Sequence, residues 1–516
     1  MFTSHTRPTA VSCWALLAAG LIVTSANSSA AQQTSTVSLG AAAATFPTTP
    51  FGAIARALVE AIDRGGGPSL RALLDSAAAP AMFLQWTPAR YAAMLDRLAA
   101  QSGGLEVTRV REVGAAIRVY TRTKKDGRMV GLELIPSPDD PARLYLIGVH
   151  PMDANQERFD PRAWPHVKLS ETALADTIRE RVQRAADADV FSGVVLVAKD
   201  DRIIVHEAFG NADAAKRIPN TLDTRFHVAS ITKTFTGVAI AQLAEAGRLA
   251  FDDTLARVLP EYPDREIARR VTIRQLLTHT SGIPDIFASP KRDRNRLPGP
   301  ASELLPVIAG RSLEFEPGAR FGYSNSNTVI LRAMIERATG QRYHDYLRTN
   351  VYARAGMRDT EMDGDGHVPR RAIGYARFSE TDPLHVDARR DNEWFIGRSS
   401  ALDPDNYFSA ADLFRFARAL RTSRLLGAAM TDSVVTGSVD VGRSAPFDGK
   451  YGFGIYDLQA WGTRLRGHSG GGEDSGIDAD LQMLWDRGYT VIVLSNYDTP
   501  AARMQSLGIL ELLASQ

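Results

Sequence analysis

The stretch GHSGGG, Gly467 to Gly472, separates two architectures. Its first five residues fit G-x-S-x-G, the string of a nucleophile elbow, in which a strained strand-to-helix turn lifts a serine clear of a sheet. An elbow at Ser469 needs a helix after it and then, in order, an acid and a histidine. The chain continues GGGEDSG, which starts no helix, and His468 is the last histidine in the sequence. Ser469 is therefore read as a strand residue, and the nucleophile is sought elsewhere.

Working outward, YGFGIYDLQ, TRLRGH, ADLQMLW and YTVIVLSN read as strands around the stretch,. Far upstream, FSGVVLVAKDDRIIVHEAFG reads as a hairpin about Asp200-Asp201, preceded by a helix from Leu169,. Residues from about 230 to 425 are mainly helical, and Leu507 to Ala514 closes as a helix. Strands from both ends thus bracket a helical middle. The predicted fold class is α+β: one antiparallel sheet flanked by helices, with a helical subdomain, over residues 169–516.

Ahead of this lie three further segments. Residues 46–150 read as three helices (Pro50 to Ile62, about 68–77 and 88–100) followed by four strands, LEVTRV, AAIRVYTRT, MVGLELIP and RLYLIGV,. This small α+β module resembles the cystatin-like or NTF2-like modules found before some exported hydrolases, and it carries no catalytic cluster. Docking or dimerisation is its expected role. Residues 151–168 read as a linker: Met152 to Lys168 is polar, with two prolines and no clear period,. Residues 1–31 read as a signal peptide: Arg7, an apolar core from Trp14 to Val23, and the small residues Ser29-Ala30-Ala31,. The expected location is periplasmic or secreted, with no stable membrane insertion once the signal is removed.

Composition narrows the chemistry. The 516 residues carry a formal net charge of +1, with 44% hydrophobic and 23% charged residues. No global field draws such a chain to nucleic acid. The single cysteine, Cys13, falls inside the signal, so the mature chain has no disulfide, no thiolate metal site and no cysteine nucleophile,. No H-E-x-x-H appears. Asp363-Gly364-Asp365-Gly366 hints at calcium, yet Gly374 stands where a twelve-residue loop needs its closing Glu, so a turn is expected,. No cofactor and no metal are expected; the expected partner is a small-molecule or peptide substrate.

Three elements bear on catalysis. Ser230 and Lys233 form the chain's one S-x-x-K, within RFHVASITKTFTGVAIAQLAEAGRL. Ile231, Phe235, Val238 and Leu243 fit a helix that Gly247 stops,. Ser230 then opens the helix with Lys233 one turn on, and the helix N-terminus offers N–H groups and a positive dipole end to an oxyanion. The same spacing also fits a serine N-cap beside a surface lysine. Tyr323-Ser324-Asn325, the one Y-x-N, sits on a polar tip after a Pro-Gly turn and leads into an apolar helical run; an ordinary cap and turn would look similar,. His468-Ser469-Gly470 follows a strand and ends in glycines that let a substrate approach the backbone.

In this order the three elements resemble the class C β-lactamase-like serine hydrolases, which include penicillin-binding-protein-like peptidases, D-aminopeptidases and esterases. The matching stretches are VASITKTFTG, LLTHTSGIPD, EPGARFGYSNSNTVIL and GHSGGG, supported by LAFDDTL, SAADLFRFARAL and YGFGIY. The wider group carries S-x-x-K, S-D-N and K-T-G; here the second element is Y-x-N and the third H-x-G. The resemblance implies a β-lactamase/transpeptidase-like fold. It implies Ser230 as the nucleophile of an acyl-enzyme, Lys233 as the charge beside it, and Tyr323 as general base. It implies Asn325 as the group that binds a substrate amide or carbonyl and orients Lys233. Ser230 and Gly471 would supply the oxyanion N–H groups, and His468, Ser469 and Gly470 would form the cleft wall. His279 in LLTHTSG is read as structural.

Two departures bear on substrate. Lactamases and transpeptidases of this kind place a lysine where His468 stands, and a histidine is mostly neutral at pH 7. Carboxylate recognition should weaken, which favours an esterase or peptidase over a true β-lactamase or D,D-carboxypeptidase. A non-catalytic acyl-binding sensor on the same fold is the alternative from another class. Glu473-Asp474 at the expected cleft mouth reads as a solvated turn or as an ammonium-binding pair,. Asp405-Asn406-Tyr407 stands where relatives often carry paired glycines.

Overall fold

A computed structural model describes residues 45–516 other than 79–87, 114–115, 138–139, 153–163, 166, 287–300, 360, 363–367, 377–388, 393–405, 445–446 and 473–474. The first described unit holds helices α1 (Pro50–Asp63), α2 (Pro68–Ala77) and α3 (Pro88–Ser102), then strands β1 (Leu105–Val113), β2 (Ala116–Thr123), β3 (Met129–Pro136) and β4 (Leu144–Met152). The strands pair as an antiparallel meander in sequence order. Ile117, Val119, Leu132 and Leu134 face Leu58, Ile62 and Leu95 in a core of the unit's own.

The larger unit is built on one eight-stranded antiparallel sheet. One edge pair comes from β5 (Gly193–Lys199) and β6 (Arg202–Phe209). The rest comes from β7 (Val439–Ser444), β8 (Phe447–Tyr451), β9 (Tyr456–Ala460), β10 (Thr463–Gly472), β11 (Ile477–Leu484) and β12 (Tyr489–Ser495). The spatial order is β7-β8-β9-β10-β11-β12-β5-β6. The sheet therefore closes by pairing β12 with β5 across most of the unit's sequence, as the bracketing pattern predicts. The β7–β8 hairpin was not expected: its run VDVGRSAPFDGKY mixes charge and glycine into the alternation and gives a weak strand signal,.

Both faces of this sheet are covered, which is why β5 reads GVVLVAK with no polar alternation. Val194 and Leu196 enter a core shared with helices α5 (Thr232–Glu245), α6 (Asn325–Thr339) and α7 (Ala410–Arg421). Val195 and Val197 enter a second core with α4 (Glu171–Asp187) and α8 (Ala501–Ala514). Helix α5 is buried all round from Thr232 to Leu243, so its apolar residues form no single stripe,. Trp164, inside the segment read as linker, is 3% exposed and packs against α8. A Cβ on Gly508 would fall 2.1 Å from its indole nitrogen, so that end of the linker is anchored. Among the described residues, no helix is long and apolar enough to cross a membrane.

Between β11 and α8 lies a buried carboxyl. Asp480 accepts from Gln482 (2.8 Å) and from the Ser506 hydroxyl. Burial raises its pKa to about 6,. The folded value lies above the ordinary 3.8, so the stabilisation exists at low pH and is lost as pH rises through about 6,. Asp480→Asn mimics the protonated form. Its melting temperature should exceed that of the wild type by more at pH 8 than at pH 4.5, a comparison in which the buried histidines common to both cancel. An equal difference at the two pH values would contradict the assignment.

Candidate active site

Ser230 lies in a 3-10 turn, Ala229–Ile231, that feeds directly into α5. The preceding residue, Ala229, holds φ +43°, a conformation that costs a non-glycine residue about 1 kcal/mol,. Local bonds hold it there: its N–H donates to His227 Nδ1 (3.2 Å) and its carbonyl accepts from Thr232 Oγ1 (2.9 Å). His227 is in turn held in a short ribbon, where it pairs with Tyr407 of the strand Asn406–Phe408. That strand is the described part of the Asp405-Asn406-Tyr407 departure; it braces the Ser230 turn. Asp405, Glu473, Asp474 and Asp363-Gly364-Asp365-Gly366 lie outside the described residues.

One turn along α5, Lys233 is 7% exposed. Its Nζ donates to Ser230 Oγ (2.9 Å) and to Asn325 Oδ1 (2.9 Å), and lies 5.1 Å from the centroid of the Tyr323 ring. A lysine that donates to Oγ leaves the serine's own proton pointing elsewhere. Ser230, Lys233, Tyr323 and Asn325 are thus brought together. The surface-lysine reading of S-x-x-K does not hold, because Lys233 is buried against its two acceptors.

The Y-S-N segment is held by the loop carrying LLTHTSGIPD. Ser324, the N-cap of α6, makes no side-chain cap bond. Instead its N–H donates to His279 Nδ1 (3.2 Å), Asn325 N–H donates to Asp285 Oδ2 (2.8 Å), and Ser326 Oγ donates to the Pro284 carbonyl (2.7 Å). Asn327 bridges Ser281 Oγ (2.7 Å) and His279 Nδ1 (3.0 Å). His279 is 2% exposed, and its ring lies 4.4 Å from that of Tyr323. Two N–H donors on Nδ1 put its proton on Nε2. Burial, and then the Lys233 charge, hold its pKa well below the ordinary value. Asp285 and the clamp as a whole escaped the sequence reading: LLTHTSGIPD was noted only as a matching stretch, and bonds across 40 residues leave no periodic trace.

GHSGGG is the second half of β10. No helix follows it; Gly472 pairs with Ile477 and the chain returns as β11. Pairing with β9 ends at Gly467, whereas pairing with β11 runs to Gly472. Beyond Gly467, among the described residues, the strand has a neighbour on one side only, and the Ser230 turn packs against it. A Cβ at Gly470 would fall 2.0 Å from the Val228 carbonyl oxygen and 2.7 Å from Ser230 N. Gly470 therefore lets the strand backbone press on the turn close to the Ser230 N–H. Ser469 is 8% exposed and stands opposite Asp480.

The wall role expected of His468 is corrected. Its ring is wholly covered, and its two nitrogens are engaged within the protein. Nδ1 donates to the Ser469 carbonyl (2.6 Å), so Nε2 accepts from the Tyr451 hydroxyl (3.1 Å),. Burial, and then the charge of Lys233, lower its pKa to about 3. Tyr451 comes from YGFGIY, whose glycines explain themselves too. A Cβ on Gly454 would meet the Lys233 carbonyl oxygen at 2.3 Å, and one on Gly237 of α5 would meet the Phe453 carbonyl oxygen at 2.0 Å. Among the described residues, no group of three His, Cys, Asp or Glu could hold a metal ion.

A family model described as Beta-lactamase matches residues 174–516. The chain belongs to the Beta-lactamase family. It is a serine hydrolase by that membership. Among its Beta-lactamase-family relatives, penicillin-binding protein 4* of Bacillus subtilis is 30% identical over 347 residues, covering 65% of this chain and 73% of that protein. A penicillin-binding protein from Bacillus halodurans superposes with a TM-score of 0.56 at 28% identity, over 67% of this chain and 100% of that one. D-amino acid amidase from Ochrobactrum anthropi, solved with D-phenylalanine, shares the fold: TM-score 0.56, 23% identity, 66% of this chain and 98% of that one.

The contact at Gly470 yields a test. Gly470→Ala should displace the Ser230 turn and slow fluorophosphonate labelling of Ser230 by roughly 100-fold, the scale of losing one hydrogen-bond donor at a reacting oxygen. Thermal stability should fall as well, because both clashes are with backbone atoms that cannot swing aside,. Labelling at the wild-type rate by a fluorophosphonate would contradict the packing described.

Proposed function

We propose that this chain is an exported serine hydrolase that cleaves uncharged carboxylic esters or related acyl compounds through an acyl-enzyme on Ser230. Ser230 Oγ attacks the substrate carbonyl, and its proton passes by way of Tyr323 to the departing alkoxide. The oxyanion that forms sits between the N–H groups of Ser230 and Gly471. Water then attacks the acyl-enzyme, releasing the acid and restoring Ser230. Lys233 keeps positive charge beside the reacting oxygen, and Asn325 keeps Lys233 in place. Export is supported by the apolar run Trp14 to Val23 and the small residues behind it,.

One observation carries the choice of substrate. His468 stands where carboxylate-recognising relatives place a lysine. It is buried, its pKa is lowered to about 3, and its ring proton is spent on its neighbour's carbonyl. Position 468 therefore supplies no cation to the anionic group of a β-lactam or a peptide C-terminus. A hydrogen bond to a charged group contributes about 1.5–3 kcal/mol, so its absence costs roughly 30-fold in recognition. A neutral ester loses nothing.

The test compares kcat/KM for p-nitrophenyl acetate and butyrate with that for nitrocefin. The proposal expects the esters to exceed nitrocefin by roughly 30-fold or more. Nitrocefin turnover equal to or above that of the esters would overturn it. A stable acyl adduct on Ser230 without turnover of either class would favour an acyl-binding sensor instead.

A further inference from the structure

We infer that Asp285 is a positioning residue for catalysis, acting through Asn325 on Lys233; this rests on the Ser230 reading above. The amide of Asn325 lies between two charged groups. Its Oδ1 meets Lys233 Nζ at 2.9 Å and its Nδ2 meets Asp285 Oδ2 at 2.8 Å. An ammonium carries only donors and a carboxylate only acceptors. Between two such groups the amide has one workable orientation. A flip would aim Nδ2–H at the ammonium and Oδ1 at the carboxylate, losing both bonds and adding two repulsions.

The same carboxylate oxygen also accepts the backbone N–H of Asn325 at 2.8 Å. One atom of Asp285 therefore fixes the first residue of α6 and the direction of its side chain together. Asp285 is itself placed by its neighbours. The Pro284 carbonyl accepts from Ser326 Oγ (2.7 Å), and the Asp285 carbonyl accepts from Arg311 Nη1 (3.0 Å). The resulting relay runs Asp285 to Asn325, Asn325 to Lys233, and Lys233 to Ser230 Oγ, with every contact between 2.8 and 2.9 Å. Asp285 touches no reacting atom. Its contribution is to keep an acceptor, rather than a donor, against the lysine that holds the nucleophile. It also accounts for one of the two side-chain N–H donors of Asn325, leaving one for the substrate contact expected of this residue.

Four variants of the full chain test this on p-nitrophenyl acetate: Asp285→Ala, Asp285→Asn, Asn325→Ala and the Asp285→Ala/Asn325→Ala double. Ser230→Ala serves as control, and melting temperature is measured for each. Asp285→Ala should lower kcat by roughly 10- to 100-fold with KM nearly unchanged. Asp285→Asn retains an acceptor oxygen and should stay within about 3-fold of the wild type. The double variant should be no slower than Asn325→Ala, because residues acting in series do not add. Wild-type kcat in Asp285→Ala would overturn the inference. So would additive losses in the double variant, or an Asp285→Asn enzyme as slow as Asp285→Ala. Undiminished turnover by Ser230→Ala would instead overturn the functional reading beneath it, leaving the two failures distinct.

Discussion

The site depends on one buried lysine and the two oxygens that hold it. Moving a charge from water into a protein interior is costly unless hydrogen bonds replace the lost solvation. Lys233 meets that demand with a hydroxyl oxygen and an amide oxygen, each at 2.9 Å. Neither oxygen is held by Lys233 alone. Ser230 is fixed by the strained turn beneath β10, and Asn325 by the loop that ends at Asp285. Anything that loosens either acceptor leaves the lysine less well solvated and Ser230 without its neighbour.

The surroundings answer to the same charge. His279 and His468 lie near Lys233, and both are kept neutral, chiefly by burial and then by the lysine. Each spends its nitrogens on fixing something else. His279 accepts from the first turn of α6 and stacks on Tyr323; His468 ties β10 to Tyr451. The aromatic layer of Phe321, Tyr451 and Tyr456 under Tyr323 makes the floor apolar. Among the described residues, the cation that touches Ser230 Oγ is Lys233, and the two histidines beside it add no second charge.

The large-scale architecture was readable because it rests on local patterns. The alternation of β9 to β12, the hairpin of β5 and β6, and the helical spacing of Ile231, Phe235, Val238 and Leu243 gave strands at both ends and helices between. Ser230, Lys233, Tyr323 and Asn325 were readable because their order resembles a known set. What the sequence did not show is tertiary. The clamp of residues 279–285 on 324–327 joins groups about 40 residues apart. The burial of His468 follows from Tyr451, which the string YGFGIY does not announce. The β7–β8 hairpin is too polar to stand out. Trp164 reads as a linker residue until Gly508 is seen to leave room for it.

The central claim is that Ser230, and not the serine of the elbow-like string, is acylated. Mapping the adduct of a fluorophosphonate on the protein, by digestion and mass spectrometry, tests it most directly. The account predicts modification of Ser230, abolished in Ser230→Ala and retained in Ser469→Ala. Modification of Ser469 would contradict it, since that residue lies in mid-strand with no helix behind it and no histidine downstream.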